Sequence, residues 1–479
     1  MVYDVIIIGA GITGTMIARE LSKYQCSVLV IEKENDVGNK TTNANSAIIH
    51  SGYDPVPGTL KAKFNVLGNQ KYDQIADELD VPFSRVGSLT VALYDSQLDT
   101  LKELKKRSEE NGVEVRLLTA EEVKALEPHI NPEVKGALLA PTAGIIDPFN
   151  LCVHAMENAI DNGVTLQRSE EVVDIQKDGD IYLVKTNKNT HQGKIVINAA
   201  GNYADKIASL IEEIDWKITP RKGEYFVLDH YDASLVNHVI FPLPSEKGKG
   251  ILVTMTTSGN YLVGPSSEQI DDKDDYSTDS LTLSDVRRQG SDMVPSVPFN
   301  QVIRVFSGLR PTCTRHDFVI EYSKKDKHFI NVGGIESPGL VSSPAIAEYV
   351  VNELVKPIIS LKEKENYNPR VRRYHRLYNE MLTGDYSYSN EHEGYGEIIC
   401  NCEKVTKGEI MDVLSRSCPP VSVKGLKRRT RAGYGKCQGG FCQPRVVLLL
   451  ADYYHVSPLE IPLDDEGSYI LSNEVKEVK

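Results

Sequence analysis

The feature that most constrains the fold lies at the N-terminus. Tyr3 to Ile8 is a short apolar, β-branched run and reads as a buried strand. Gly9-Ala10-Gly11-Ile12-Thr13-Gly14 follows directly, and a helical pattern runs from Thr13 to Tyr24. A second strand, Ser27 to Ile31, ends at Glu32. This is a βαβ unit whose turn suits the diphosphate of a dinucleotide. Gly9 permits the tight turn, Gly11 lets the backbone approach a pyrophosphate, and Gly14 lets helix and strand pack closely. Ile12 and Thr13 open the helix, whose N-terminus presents N–H groups and a positive dipole end. Glu32, with Lys33 beside it, is placed to hold the ribose hydroxyls.

The fingerprint alone does not separate FAD from NAD. Two features favour FAD. There is one such fingerprint, so a separate nicotinamide site is not evident. The sheet also returns late, where Phe329 to Gly334 leads into Ser337-Pro338-Gly339-Leu340 and a helix. That second glycine-rich turn is expected to bring backbone N–H groups of Gly334, Gly339 and Leu340 near a flavin ring.

Length and composition set the class. The chain has 479 residues, enough for two to four domains, with 41% hydrophobic and 25% charged residues. Disorder, collagen and a disulfide miniprotein are excluded. Acidic residues number 67 against 54 basic, a formal charge of −13, which disfavours nucleic acid as partner and a flavin-dependent RNA-modifying enzyme as function. No apolar stretch has the length of a membrane span, and the N-terminus lacks the basic start of a signal peptide, so a cytoplasmic protein is expected.

Further helices are expected over Gln97 to Asn111, Ala120 to Leu126, Asp147 to Asp161 and Pro344 to Leu354. Ile181 to Thr186, Lys194 to Asn198 and Phe329 to Val332 read as strands, and Pro220 to Pro265 is strand-like. Residues 362–394 are polar and tyrosine-rich with little periodicity, and read as a linker on the surface.

Eight cysteines divide into two groups. Cys26, Cys152, Cys313 and Cys418 are scattered and expected to be buried, since disulfides are disfavoured in a reducing cytosol. Cys400-x-Cys402 and Cys437-x4-Cys442 form a cluster. Zinc sites usually show C-x2-4-C spacing, whereas four cysteine ligands suit a 2Fe–2S cluster. Structural zinc and free thiols remain the alternatives. Lys424, Lys427, Arg428, Arg429, Arg431 and Lys436 precede Cys437. They read either as cations that stabilise an anionic cluster or as a solvated basic face.

Three motifs carry a resemblance to FAD-dependent oxidoreductases of the D-amino-acid oxidase superfamily. They are Gly9 to Gly14 with Glu32, Asn45-Ser46-Ala47-Ile48-Ile49-His50-Ser51-Gly52, and Gly308-Leu309-Arg310-Pro311 followed by Gly333 to Leu340. Within that superfamily, Asn45 to Gly52 with Pro57 to Lys63, Pro220 to Tyr225 and Leu262 to Pro265 resemble the L-2-hydroxyglutarate dehydrogenases. The whole-chain layout resembles the large subunit of anaerobic glycerol-3-phosphate dehydrogenase, and the cysteine segment resembles the small domain of bacterioferritin-associated ferredoxin. The chain departs from the glycerol-3-phosphate pattern at Tyr53 and Asp54, where that family often has arginine.

The resemblance implies an α/β fold: a Rossmann-type FAD-binding domain, an antiparallel-sheet substrate domain and a small C-terminal cysteine-cluster domain. An oxidoreductase domain is expected over 1–360, with FAD-binding segments near 1–80, 145–215 and 305–360 and a substrate domain near 81–144 and 216–304. A linker over 361–394, a 2Fe–2S domain over 395–460 and a tail over 461–479 follow. Implied FAD contacts include Asn45, Ser46, Val173 and Gly201. The cluster ligands the resemblance implies are Cys400, Cys402, Cys437 and Cys442.

Oxidising a secondary alcohol with a flavin moves a hydride to the ring and a proton to a base. His50 is the candidate base by motif, with a structural or FAD-linked histidine as alternatives. Arg310 is the candidate anion clamp, since a guanidinium binds a carboxylate or phosphate through two bonds. Arg221, Lys222, Glu224 and Tyr225 form a second polar group on one strand, where at most one of Glu224 and Tyr225 faces a pocket. His316 is a weaker candidate. The leading expectation is a dehydrogenase for a small anionic secondary alcohol, sn-glycerol 3-phosphate first and an L-2-hydroxy acid second. Its electrons pass through the cluster to a protein or membrane-associated acceptor, in a hetero-oligomer with other redox subunits at the inner face of the membrane. The contrasting expectation is a redox-sensing flavin and iron–sulfur module without turnover.

Overall fold

The computed structural model describes residues 1–230, 235–244 and 250–473. Parts of the strand-like run from Pro220 to Pro265 and of the tail over 461–479 therefore lie outside the described residues. Two large sheets organise what precedes the cysteine domain.

In the first sheet Val2–Ile8 is central, parallel to Val28–Ile31 on one side and to Thr190–Asn198 on the other. Thr165–Gln167 and Phe329–Gly333 extend it in parallel. Antiparallel strands Val172–Asp178, Ile181–Thr186 and Val319–Tyr322 complete it among the described residues. Strands covered on both faces must be apolar throughout. Alternate side chains go to opposite sides. Val5, Ile7, Val28 and Val30 pack with the helices Ile12–Leu21 and Pro148–Asp161, while Ile6, Ile8, Leu29 and Ile31 pack with Ile175, Tyr182 and Val184. Asp147 caps the second helix by accepting from the Phe149 and Asn150 amides at 3.0 and 3.1 Å, with Pro148 in its first turn.

The second sheet is built around Ile218–Leu228 and Val302–Cys313, which pair along nearly their whole length. Tyr261–Gly264, Leu252–Met255, Val239–Pro242, Ser88–Ala92, Gly136–Ala140 and Arg116–Thr119 continue it. It is antiparallel except where Val239–Pro242 runs parallel to Ser88–Ala92. Residues 305–313, at the start of the expected FAD-binding segment 305–360, run in this sheet.

The late helix starts at Gly339, earlier than expected, runs to Tyr349 and continues as a π-helical turn, Val350–Val355. Pro344 inside it has no N–H for the Leu340 carbonyl. The Tyr72 hydroxyl and the Ser343 hydroxyl donate to that carbonyl instead. The expected linker contains two short helices, Leu377–Thr383 and Ser387–Glu391. Stacking of Tyr388 between His375 and His392, at 3.8 and 3.7 Å, holds them together, which periodicity cannot reveal.

Beyond it, a hairpin of Ile398–Cys400 and Val405–Thr406 precedes the helices Lys407–Leu414, Val423–Thr430 and Gln443–Tyr454. These surround their own core of Ile399, Ile410, Leu414, Leu426, Val446 and Leu450. Among the described residues no helix is long and apolar enough to cross a membrane.

Candidate active site and cysteine centre

A cavity of about 890 Å³ is lined by residues of both sheets. The glycine turn forms one wall. Gly9 has φ +102°, and a Cβ there would lie 2.5 Å from the Ala199 carbonyl oxygen. A Cβ on Gly14 would lie 2.0 Å from the Gly9 oxygen, so Gly14 sets the helix against the strand and does not line the cavity. At Gly11 the nearest atom to a Cβ would be Thr42 Oγ1, 3.5 Å away, so this glycine leaves space at the cavity wall. Ile12 and Thr13 line the cavity, and the Ile12 amide donates to Thr42 Oγ1 at 3.0 Å.

Glu32 also lines the cavity and is buried, which raises its carboxyl above the usual range. Its oxygens accept from the amides of Ala10 (2.7 Å) and Glu34 (2.9 Å), so it braces the glycine turn. Lys33 lies over the Tyr203 ring, and Val173 and Gly201 complete this end. Among the described residues Asn39 Oδ1 and Asn202 Oδ1 are buried without a hydrogen-bond partner, and both residues line the cavity. A ligand rich in hydroxyl and amide donors fits such acceptors. Neither asparagine stands out in the sequence; Asn202 directly follows Gly201, and that turn is the available signal.

Asn45 shapes the turn before His50. Its Nδ2 donates to the Thr42 carbonyl at 2.7 Å and its Oδ1 accepts from the Ala47 amide at 2.7 Å. Two asparagine side chains, Asn65 at 2.7 Å and Asn69 at 3.0 Å, donate to the His50 carbonyl and fix its backbone. The His50 imidazole lies 5.7 Å from the Phe241 ring, and both residues line the cavity. Gly339 and Leu340 line it at the start of the late helix. Gly334, expected beside the flavin, does not. It has φ +66°, and a Cβ there would meet Cys313 Cβ at 2.8 Å, so it shapes the turn.

The central strand pair of the second sheet supplies the other wall. Arg221 faces Arg310, Gly223 faces Gly308 and Tyr225 faces Phe306 across the pair. Alternation puts these on one face. Arg310 donates from Nη2 to the Ser266 carbonyl at 3.3 Å, and Arg221 Nη1 reaches Ser267 Oγ at 3.5 Å. Both guanidinium heads thus meet at one dipeptide, and both residues line the cavity. A Cβ on Gly223 would stand 2.7 Å from Arg310 Nη2, so the glycine makes room for the arginine. Tyr225 stacks on Phe306 at 4.6 Å, and its hydroxyl shares a 2.9 Å hydrogen bond with Ser46 Oγ. His316 lines the cavity too, and its carbonyl accepts from Lys61 Nζ at 3.1 Å.

Glu224, expected next to the substrate, is corrected. It is 0% exposed on the opposite face and does not line the cavity. One carboxylate oxygen accepts from the Asp279 amide at 2.9 Å, and burial raises its carboxyl. Strand phase decides between neighbours, and Tyr225 has the cavity side.

The clustered cysteines come together in pairs. Cys402 Sγ lies 3.9 Å from Cys437 Sγ, and the thiols of Cys400 and Cys442 are hydrogen-bonded. That bond pulls Cys400 down to about 6, and backbone amides of Gly433, Glu403 and Cys402 act the same way despite burial. The same bond pushes Cys442 up. Burial opposes ionisation of Cys437, but the amides of Phe441, Gly439 and Gly440 prevail and lower it. Among the described residues no three His, Cys, Asp or Glu side chains converge on a single metal position. Two thiol pairs with amides aimed at sulfur fit a two-iron centre, where each iron takes two thiolates.

The basic run before Cys437 is not one uniform face: most of its cations are ion-paired with carboxylates, Lys436 is exposed, and Lys427 feels the charge of the cluster cysteine Cys442. Arg429 and Arg428 are buried against Asp36 and Asp464, Arg431 pairs with Glu403, Lys424 with Asp464 and Lys436 with Asp229. Lys427 is buried over the Tyr434 ring, and burial lowers it to about 7. Of the scattered cysteines, Cys152, Cys313 and Cys418 are buried and Cys26 is partly so.

A dinucleotide turn, a cavity between two sheets and a paired-thiol centre together define a flavin-dependent oxidoreductase with an iron–sulfur module. A family model described as FAD dependent oxidoreductase matches residues 4–353, and one described as BFD-like [2Fe-2S] binding domain matches residues 398–452. The chain belongs to the FAD dependent oxidoreductase family, and its cofactors are FAD and a 2Fe–2S cluster. It is 47% identical over 99% of both chains to a glycerol 3-phosphate dehydrogenase of Caloramator mitchellensis. It is similar to the FAD-bound, dithionite-reduced L-α-glycerophosphate oxidase of Mycoplasma pneumoniae (TM-score 0.74, 33% identity), over 78% of this chain and 98% of that one. It is also 25% identical to a subunit of the anaerobic glycerol-3-phosphate dehydrogenase of Escherichia coli K12, over 93% of this chain and 88% of that protein.

Proposed function

We propose that the chain oxidises the secondary hydroxyl of sn-glycerol 3-phosphate to dihydroxyacetone phosphate. The observation that carries this reading is the Arg221–Arg310 pair. Two guanidiniums directly opposite each other on one strand face repel. A phosphate dianion between them offsets that repulsion and gives each a charge-assisted bond. The 47% identity to a glycerol 3-phosphate dehydrogenase supports the same substrate.

When bound, FAD would supply the hydride acceptor and a 2Fe–2S cluster a carrier for single electrons. The residues of the chain do the rest. Gly9, Gly11, Ile12 and Thr13 border the diphosphate, with Glu32 and Lys33 at the ribose. Asn45, Ser46, Val173, Gly201, Gly339 and Leu340 complete the cofactor walls. Arg310 and Arg221 hold the phosphate, Tyr225 borders the substrate, and His50 accepts the hydroxyl proton on its imidazole. Cys400, Cys402, Cys437 and Cys442 hold the cluster.

In this reading the oxidoreductase domain spans 1–360 and the cluster domain 395–460. The acceptor is a protein or is associated with the membrane, and it is met from the cytoplasmic side. The E. coli relative, named as one subunit of its enzyme, supports assembly with other redox chains.

Anaerobic mixing with a panel of hydroxylated anions tests the substrate. Glycerol 3-phosphate is expected to bleach the flavin fastest. Faster bleaching by L-2-hydroxyglutarate overturns the assignment, and no bleaching by any member points to the module without turnover.

The cluster ligands carry a separate expectation. Protein prepared without oxygen contains two irons and two labile sulfides per chain. Cys402→Ser loses the cluster and leaves anaerobic flavin reduction nearly unchanged, because the cavity is built from other segments. Zinc in equal amount without sulfide overturns the iron–sulfur content and leaves the four cysteines as zinc ligands.

A further inference from the structure

We infer that Arg429, in the cysteine domain, is a positioning residue for the FAD site of the other domain. It acts through the loop that follows Glu32. Lys33, Gly38, Asn39, Lys40, Thr41 and Thr42 of that loop line the FAD cavity. Asp36, in the middle of the same loop, does not line it and is 0% exposed. Its carboxylate is held by Arg429 through two bonds, Nη1 to Oδ2 at 2.6 Å and Nη2 to Oδ1 at 2.8 Å. Such a forked pair fixes direction as well as distance.

Arg429 is also bound to its own domain. It donates to the carbonyls of Gly425 and Cys418, each at 3.0 Å. Arg428 and Arg168 stand 3.7 Å from the same carboxylate, and Arg168 donates to the Pro419 carbonyl at 2.8 Å. A Cβ on Gly425 would lie 2.8 Å from Asp36 Oδ2, so the helix backbone itself closes on the loop. Asn35 adds a bond from Nδ2 to the Asp464 carbonyl at 2.5 Å.

The loop is therefore clamped from its outer side by the cysteine domain while its inner side forms the cavity wall. Removing Arg429 leaves a buried carboxylate without its main partner, and the loop must move to hydrate it. A wall that moves pays for FAD binding with its own ordering. Coupling of this kind is reciprocal: FAD also stabilises the docked helix Val423–Thr430.

The test uses the full chain with its cluster and no substrate, so its outcome is independent of the substrate assignment. Arg429→Met is expected to raise the FAD dissociation constant about 5–150-fold, the usual range of coupling between sites. Amide exchange over residues 33–42 of the FAD-free protein quickens, and iron content stays the same. FAD protects amides 425–430 in the parent protein and not in the variant. Arg429→Lys, which keeps the charge, recovers part of the affinity. If Arg429→Met does not fold, Asp36→Asn, equal in size, carries the same readouts. FAD affinity within about two-fold of the parent, with unchanged exchange over 33–42, overturns the inference even where the melting temperature falls.

Discussion

Replacing His50 by asparagine is expected to lower kcat/KM about 10²–10⁴-fold, the usual contribution of a positioned base. Asparagine keeps a polar side chain of similar reach and cannot accept the proton. The backbone at this position is held through its carbonyl by Asn65 and Asn69, so the substitution leaves the turn in place. FAD content therefore stays near the parent level. A base must be unprotonated to act, so the acid limb of the pH–rate profile of flavin reduction disappears in the variant. Stopped-flow anaerobic reduction over a range of pH measures both quantities. An unchanged rate with an unchanged profile removes His50 from the chemistry. Loss of FAD instead assigns it a structural part against Phe241.

The second large effect concerns Arg310. Arg310→Lys is expected to lower kcat/KM about 10–150-fold, equal to about 1.5–3 kcal/mol for one charge-assisted bond. Lysine keeps the charge and loses the planar fork. Its point charge still partly balances a dianion, so the loss stays below that of a neutral replacement. FAD content is unaffected, because Arg310 lies on the strand Val302–Cys313 of the second sheet and the glycine turn belongs to the first. Steady-state kinetics with FAD quantified on the same sample decides it. Unaltered kcat and KM exclude Arg310 as the clamp, and loss of FAD makes it structural.

Much of the framework is local and so was readable in the residues. The βαβ opening depends on a strand, a glycine turn and a helix that are contiguous, and the structure forms them at Val2–Ile8, Ile12–Leu21 and Val28–Ile31. The helix Ala120–Leu126 falls where its pattern lies, with Thr119 and Glu122 forming its capping box. The four clustered cysteines announce themselves by spacing, and the pairing follows from two loops folded over one core.

Other features are invisible along the chain. Glu224 and Tyr225 are equal candidates in the sequence, and only the sheet's position against the cavity selects Tyr225. Arg221 and Arg310 are far apart in sequence, and strand register alone brings them face to face. The run from Lys424 to Lys436 looks uniform, yet each cation has its own fate because each meets a different neighbour.

The amino-acid sequence by itself determined the dinucleotide turn and the thiol cluster, because those signals depend on spacings set by covalent distance, whereas the flavin reading came from the late glycine-rich turn and the family resemblance. The tertiary structure decided which side chains share the cavity, which face outward, and that Asp36 is gripped by Arg429. Those outcomes depend on partners brought together by burial and strand register, and chain order does not encode such a neighbour at any fixed separation.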